Sequence, residues 1–481
     1  MPQHHEKLLT RSPIDNSIYV ERDYANDRQI SDALKLARLA QQQWKLTTIA
    51  ERAAICHRMV DAFVANGEEV ATQLCWMMGR PIRFAQGEVK GVEERARVMI
   101  ALAEQGLKPV VPEPVVPETN GPETNGPETK AGVTRYIKRE PLGVVFVIAP
   151  WNYPYLTAIN SVIPAIMAGN SVVLKHSAQT PLCAEQFACA FAKAGLPDGV
   201  FQYLHLTHAA TAKILSDGDI DHAVFTGSVE GGAAVERALA GRFKCVGLEL
   251  GGKDPAYIRQ DADIEKAAAS CVDGAFFNSG QSCCGIERIY VHQQVFDEFV
   301  EQACRLINDY RLGRSDDPET TLGPVINAKA AGRVRRHIDE AIAAGAKAHI
   351  DAGIFPAARV GSAYVAPQLL TQVDHSMAVM SEESFGPVVG VMAVADDQQA
   401  TGHMNDSAFG LTACIYTNDI EQAESIAEQL DTGTVLVNRC DYLDPALAWT
   451  GVKQSGRGCS LSVLGYEQLT RPKSFYIKHN L

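Results

Sequence analysis

The chain has 481 residues, 46% of them hydrophobic and 21% charged, which suits a large folded core shared among two or three domains. A formal net charge of -13 leaves no basic surface for nucleic acid or an anionic membrane, so neither is expected as a partner. The twelve cysteines follow no disulfide or metal-binding spacing, and no metal is expected; a reducing compartment, the cytoplasm, fits them. The amino-terminal residues lack a signal-peptide pattern, and the longest apolar run, 142–150, is too short to span a bilayer.

Residues 29–105 carry helical periodicity, with Ser31 as a cap for a run in which Ile30, Leu34, Ala37 and Ala40 recur. Gly67 and Gly79-Arg80-Pro81 interrupt it. Residues 112–130 repeat Pro-Glu-Thr-Asn-Gly at 117–121 and 122–126, which predicts an extended insertion with no catalytic role. From Gly143 the period changes. Strands at 143–149, 171–175, 200–204, 222–226 and 244–250 alternate with helices at 155–167, 181–194, 208–215 and 229–240. Such alternation predicts an α/β fold with a doubly wound, Rossmann-like parallel sheet that binds a nucleotide at its strand ends. After Pro255 a second α/β series of similar size follows: helix 263–278, strand 286–292, helices 294–309 and 327–344, strand 387–394, helix 419–429 and strand 433–437. Lys473–Lys478 reads as one further strand, lying on its own sheet edge or adding to a partner's.

Five stretches flank these elements and carry candidate chemistry. Asn152, between Pro150 and Pro154, is either an oxyanion donor or a helix cap. Lys175, ending a strand, either reaches a ribose or phosphate or faces solvent. Phe225-Thr-Gly-Ser-Val-Glu-Gly-Gly232 opens a helix whose free N–H groups suit a pyrophosphate. Glu249, in an apolar strand before two glycines, is either a general base with a raised pKa or an ion-paired structural group. Glu382-Glu-Ser-Phe-Gly-Pro387 is an acidic turn before a strand. Phe-Phe-Asn-Ser-Gly-Gln-Ser-Cys-Cys (276–284) places two thiols in a loop, where an ionised sulfur is a strong nucleophile.

Together these motifs, in this order and with Lys453-Gln-Ser-Gly456 after them, resemble the aldehyde dehydrogenase superfamily across nearly the whole chain. The resemblance implies oxidation of an aldehyde to its acid with NAD or NADP, by way of a cysteine thiohemiacetal and hydrolysis of a thioester. It implies Cys283 as nucleophile, Glu249 as base, and Asn152 with the Cys283 N–H as oxyanion hole. For the cofactor it implies Lys175 and Glu383 at the two riboses, and Gly227 and Ser228 under the pyrophosphate with Gly231 and Gly232. Ile148, Trp151, Ser177, Ala178, Leu250, Gly251 and Phe385 complete that set. The expected domains are 1–105 with 140–249 for the cofactor and 250–465 for catalysis. An arm at 106–139 and a strand at 466–481 are expected to build a homodimer or homotetramer. A non-catalytic binding protein of the same fold is the competing reading.

Two positions depart from the family pattern. Where NAD-specific members carry a glutamate, this chain has Ala178, and with His176 and Ser177 as added donors dual use of NAD and NADP is expected. Ser161 stands where many relatives carry a lysine. The substrate tunnel is expected to be lined by Tyr153, Leu156, Thr157 and Asn160 and by Tyr442, Leu443 and Trp449. Its aromatic walls suit an apolar or aromatic aldehyde, whereas Asn160, Glu287 and Asp441 suit a polar or amino one.

Overall fold

The computed structural model describes residues 7–112 and 133–479, so the repeat at 117–126 lies outside the described residues. A hairpin the periodicity does not announce opens the chain: β1 (Lys7–Arg11) pairs antiparallel with β2 (Ile18–Asp23). Four helices follow, α1 (Asp27–Trp44), α2 (Ile49–Val64), α3 (Gly67–Met78) and α4 (Ile82–Gly106). Asn26, not Ser31, caps α1, because Asn26 and Gln29 exchange reciprocal side-chain and backbone bonds as a capping box.

The next stretch contains β3 (Val133–Pro141), β4 (Val144–Ala149), α5 (Pro154–Met167), β5 (Ser171–His176), α6 (Leu182–Lys193) and β6 (Phe201–Tyr203). It continues through α7 (His208–Asp217), β7 (His222–Thr226), α8 (Val229–Leu239) and β8 (Cys245–Glu249). β4 is buried at every position, as an apolar run covered on both faces requires. Val145 and Val147 pack on the side of α2, α4 and α5, whereas Phe146 and Ile148 pack on the side of α1, α7 and α8.

A second series holds β9 (Asp254–Ile258), α9 (Ile264–Phe276), β10 (Ile286–His292), α10 (Phe296–Asn308), α11 (Ala328–Ala343), β11 (Lys347–Ala348) and β12 (Gln368–Thr371). α12 (Ala378–Ser381), β13 (Val388–Val394), α13 (Asp397–Asn405), β14 (Phe409–Gly410), β15 (Thr412–Tyr416), α14 (Ile420–Ala427) and β16 (Thr434–Val437) complete it. β17 (Val452–Lys453), β18 (Gly456–Arg457) and β19 (Thr470–Lys478) end the described chain.

One sheet runs β18-β8-β7-β4-β5-β6, parallel except for β18 against β8, and the other runs β11-β12-β13-β10-β9-β15-β16, parallel except for β11. In the first sheet the strand order reverses at β4, so a crevice opens between the carboxyl ends of β4 and β7. This sheet brings its strands' carboxyl ends to the larger cavity. The second presents the amino-terminal approaches to β9, β10 and β13, which border the same cavity. β19 pairs with β3 as a separate two-stranded ribbon. Among the described residues no helix is long and apolar enough to cross a membrane.

Candidate active site

The loop before β10 is held by the polar residues of its own motif. α9 ends at Phe276, short of the expected 278, because Asn278 and Ser279 adopt left-handed backbone at φ 53° and 58°. The Asn278 amide donates to the Asn152 carbonyl at 3.1 Å, and the Ser279 hydroxyl to the Gly323 carbonyl at 2.8 Å. Gln281 donates to the Asn278 carbonyl at 3.0 Å and accepts the Ile326 N–H at 2.7 Å. Gly280 has φ +70°, and a Cβ there would lie 2.4 Å from the Gly386 carbonyl oxygen, so glycine is required.

The two thiols differ. Cys283 is partly exposed, and its backbone N–H donates to nothing among the described residues. Cys284 is buried and donates to Asp441 Oδ1 at 3.1 Å. Its contact with Cys283, together with burial, holds the Cys284 thiol well above the usual thiol pKa, which keeps it protonated.

Asn152 follows β4, and its side-chain amide donates to the Gln281 carbonyl at 3.1 Å; it caps no helix, since α5 starts after Tyr153 without a side-chain cap. A buried Arg80–Glu88 ion pair fixes this turn. Arg80 donates to the Asn152 carbonyl at 2.8 Å, and Glu88 accepts the Tyr155 N–H at 2.8 Å. Glu249 ends β8, and burial raises its pKa against the pull of Ser460 and Thr226 hydroxyls and the Arg95 charge. No ion pair reaches it among the described residues; Ser460 and Thr226 donate to its two oxygens.

Two cavities meet at these groups. The larger, about 370 Å³, is bordered by Trp151, Gly227, Ser228, Leu250, Gly251, Glu383 and Phe385 of the expected cofactor set. The smaller, about 230 Å³, is bordered by all seven expected substrate residues, Tyr153, Leu156, Thr157, Asn160, Tyr442, Leu443 and Trp449. Cys283, Glu249, Thr226 and Thr157 border both. Asn152 borders the larger.

Ile148, Lys175, Ser177, Ala178, Gly231 and Gly232 do not border the larger cavity. Ile148 sits in the core, paired across the sheet with Lys175 and Phe225. Cβ atoms at Gly227 and Gly231 would each meet the Phe225 ring at 2.6 Å, and one at Gly232 would meet Leu250. These glycines therefore let side chains close beneath the start of α8, whose cap is Ser228, accepting the Gly231 N–H at 3.1 Å. Lys175 is buried with no hydrogen-bond or ion-pair partner among the described residues, and burial lowers its pKa to about 8. An unpartnered buried ammonium at a strand's carboxyl end suits an anionic or hydroxyl-rich ligand. Glu383 accepts the Gly252 N–H at 3.1 Å, and burial with the nearby Glu287 raises its pKa to about 7. Trp151 and Phe385 meet edge to face at 5.7 Å. The residues present fit a nicotinamide dinucleotide.

Two expected site residues fall elsewhere. His176 is buried, bonds the Pro154 carbonyl and Thr180 through its two ring nitrogens, and is held by burial to a pKa of about 3. It is neutral and engaged, so it adds no donor for a phosphate. Glu287 is buried, ion-pairs with Lys253, and accepts the Ser384 and Phe385 N–H groups at 2.8 Å each. It fixes the turn that carries Glu383 and does not border the substrate cavity.

Sequence reasoning missed three neighbours of the site. Ser460 is the hydroxyl on Glu249, brought there by a Trp449–Ser460 bridge that no motif announces. Ser455, within the late Lys-Gln-Ser-Gly stretch, donates to the Gly251 carbonyl at 2.8 Å and so stitches the end of β8. Arg95 of α4 borders the smaller cavity and reads in sequence as an ordinary helix-surface charge.

The family model described as "Aldehyde dehydrogenase family" matches residues 1–475. The NADP(+) succinate-semialdehyde dehydrogenase of Mycobacterium avium is 32% identical over 432 residues, 90% of this chain and 88% of that protein. Among solved structures, the NADP-dependent glyceraldehyde-3-phosphate dehydrogenase from Bacillus halodurans complexed with NADP superposes with a TM-score of 0.91 at 29% identity, covering 99% of this chain and 97% of that one. The succinic semialdehyde dehydrogenase from Streptococcus pyogenes with NADP+ gives 0.89 at 27% identity, over 98% and 99%.

Proposed function

The chain belongs to the aldehyde dehydrogenase family and oxidises aldehydes with a nicotinamide cofactor, and from that premise we propose how its residues divide the work. Cys283 Sγ, as thiolate, adds to the carbonyl carbon and forms a C–S bond. The Asn152 amide and the free Cys283 N–H donate to the resulting oxyanion, each worth about 3 kcal/mol in such holes. The tetrahedral carbon then loses hydride and becomes a thioester on Cys283; a bound nicotinamide supplies the hydride acceptor. Glu249 takes a proton from water, the hydroxide attacks the thioester, and the C–S bond breaks to release the acid and regenerate the thiolate.

The observation carrying this reading is that Cys283 and Glu249 stand on the shared wall of the two cavities. Lys175, Glu383 and the opening turn of α8 are the groups we assign to the riboses and pyrophosphate. Residues 1–105 with 140–249 form the cofactor domain in this reading, and 250–465 the catalytic one. Ala178 supports use of NADP alongside NAD, and relatives named as NADP enzymes are consistent with it. Relatives named for succinate semialdehyde support counting carboxylate-bearing aldehydes among the substrates. Twelve free thiols suit a cytoplasmic setting, and the β3–β19 ribbon supports a homodimer or homotetramer. A panel of aldehydes with each cofactor tests the mechanism. Reduction of cofactor is expected, and its persistence in Cys283→Ala rejects the assignment.

A further inference from the structure

Arg95 projects from α4 into the smaller cavity, against α5. Its Nη1 donates to the Leu156 carbonyl and to Asn160 Oδ1, both at 3.2 Å. Nε and Nη2 donate to nothing, and no carboxylate lies within ion-pair distance among the described residues. Removal from water disfavours the charge and lowers its pKa, though an arginine stays protonated. The guanidinium is part-exposed at the cavity wall, feels the Glu88 and Glu249 charges without pairing to either, and so keeps a free edge open to a ligand.

The acids around it are engaged elsewhere: Glu88 pairs with Arg80, and Glu249 accepts the Thr226 and Ser460 hydroxyls. Asp441 Oδ1 is taken by the Cys284 thiol at 3.1 Å and the Ser282 hydroxyl at 3.4 Å, and burial raises its pKa to about 7. Glu94 is exposed and accepts the Tyr442 hydroxyl at 3.4 Å. The free edge of a guanidinium is a planar fork matched to a carboxylate, and the same cation repels an ammonium substrate. A cavity of about 230 Å³ is smaller than the ~300–1,000 Å³ usual for drug-sized ligands, so it suits a short chain.

We infer that Arg95 receives the carboxylate of a short ω-oxo acid, through Nε and Nη2, while the aldehyde end lies at Cys283. This rests on the aldehyde-oxidation reading above. It selects a semialdehyde over both a plain aliphatic aldehyde and an amino aldehyde, and it assigns the selection to a residue of α4, not of α5 or the late loop. Asn160 then acts as a positioning residue that orients the guanidinium.

The test compares kcat/KM for 4-oxobutanoate and for butanal with the same cofactor. The unmodified protein is expected to favour the oxo acid at least tenfold; a ratio of one or less overturns the inference. In Arg95→Met the ratio is expected to fall at least tenfold, through KM for the oxo acid, and a ratio unchanged from the unmodified protein overturns it. Should Arg95→Met fail to fold, succinate against the unmodified protein decides. Competition with the aldehyde, stronger than that of butyramide, supports the inference, and no competition overturns it. Failure to oxidise any aldehyde with either cofactor refutes the underlying reading and takes this inference with it.

Discussion

The side-chain amide of Asn152 donates to the carbonyl of Gln281 at 3.1 Å, which ties the oxyanion donor to the peptide two residues before the thiol it serves. One amide proton is spent on that anchor and the other is left for substrate. Asn152→Ala is expected to lower kcat about a hundredfold, near 3 kcal/mol, with KM little changed. Steady-state kinetics check this, and a loss below threefold removes Asn152 from the oxyanion hole.

Glu249 must be ionised to accept a proton, so activity should fall on the acid side as pH drops through its pKa. Burial raises that pKa, which moves the limb above the ~4.3 of a free glutamate. Glu249→Gln should form reduced cofactor in a burst matching the number of sites and then stall, with turnover reduced by roughly 10²–10⁴. Rapid mixing distinguishes the outcomes. A variant that turns over steadily without a burst has another base.

Lys175 has a pKa of about 8 against 10.5 for a free lysine, because burial disfavours its charge. Between those values the unfolded chain holds more proton than the folded one, so stability rises with pH across that window and is lower by about 3 kcal/mol below it. Lys175→Met should therefore raise the melting temperature at neutral pH by several degrees, abolish the alkaline rise, and weaken stabilisation by added NADP. Thermal melts across pH, with and without cofactor, check all three. An unchanged response to NADP removes Lys175 from the cofactor site.

Ala178 is part-buried, and its carbonyl accepts the Thr10 hydroxyl at 2.7 Å, so its backbone is fixed while its side chain brings no charge. Comparable kcat/KM for NADP and NAD is expected. Ala178→Glu should reduce the NADP value at least tenfold relative to NAD, about 1.4 kcal/mol of repulsion toward the phosphate. A preference for NAD beyond a hundredfold in the unmodified protein rejects dual use.

The β3–β19 ribbon leaves Tyr476 71% exposed beside a stacked Tyr136–Phe475 pair at 4.7 Å. A two-stranded ribbon is marginal alone and gains stability by packing on another surface. Light scattering should give twice or four times the chain mass, and a monomeric mass rejects the assembly.

Periodicity and turn chemistry exposed most of the first sheet, whose parallel strands, buried on two faces, read as apolar runs, but of the second only β10, β13 and β16. β10 and β7 begin and end where the pattern places them. β9 was not legible, since Pro255 argues against a central strand. It is tolerated here because Pro255 sits at a register shift against Ile286 and Arg288, where a missing N–H costs little. At the site, the clustering of Cys283, Glu249 and Asn152, each carried by a local motif, was legible. Side chains that depend on long-range approach were not. Ser460 reaches Glu249, and Arg95 reaches α5, only through tertiary packing, while His176 looks like a free donor until its ring is seen bonded at both nitrogens.

Gly252 separates the end of β8 from the start of β9, and a Cβ there would lie 2.2 Å from the Cys283 carbonyl oxygen. The peptide carrying the base and the peptide carrying the thiol thus touch backbone to backbone, with no side chain between them to absorb error. Grafting the cysteine loop into another scaffold without residues 249–253 would leave its carbonyl facing whatever stood in place of this glycine. For protein engineering the two segments form a single transferable unit.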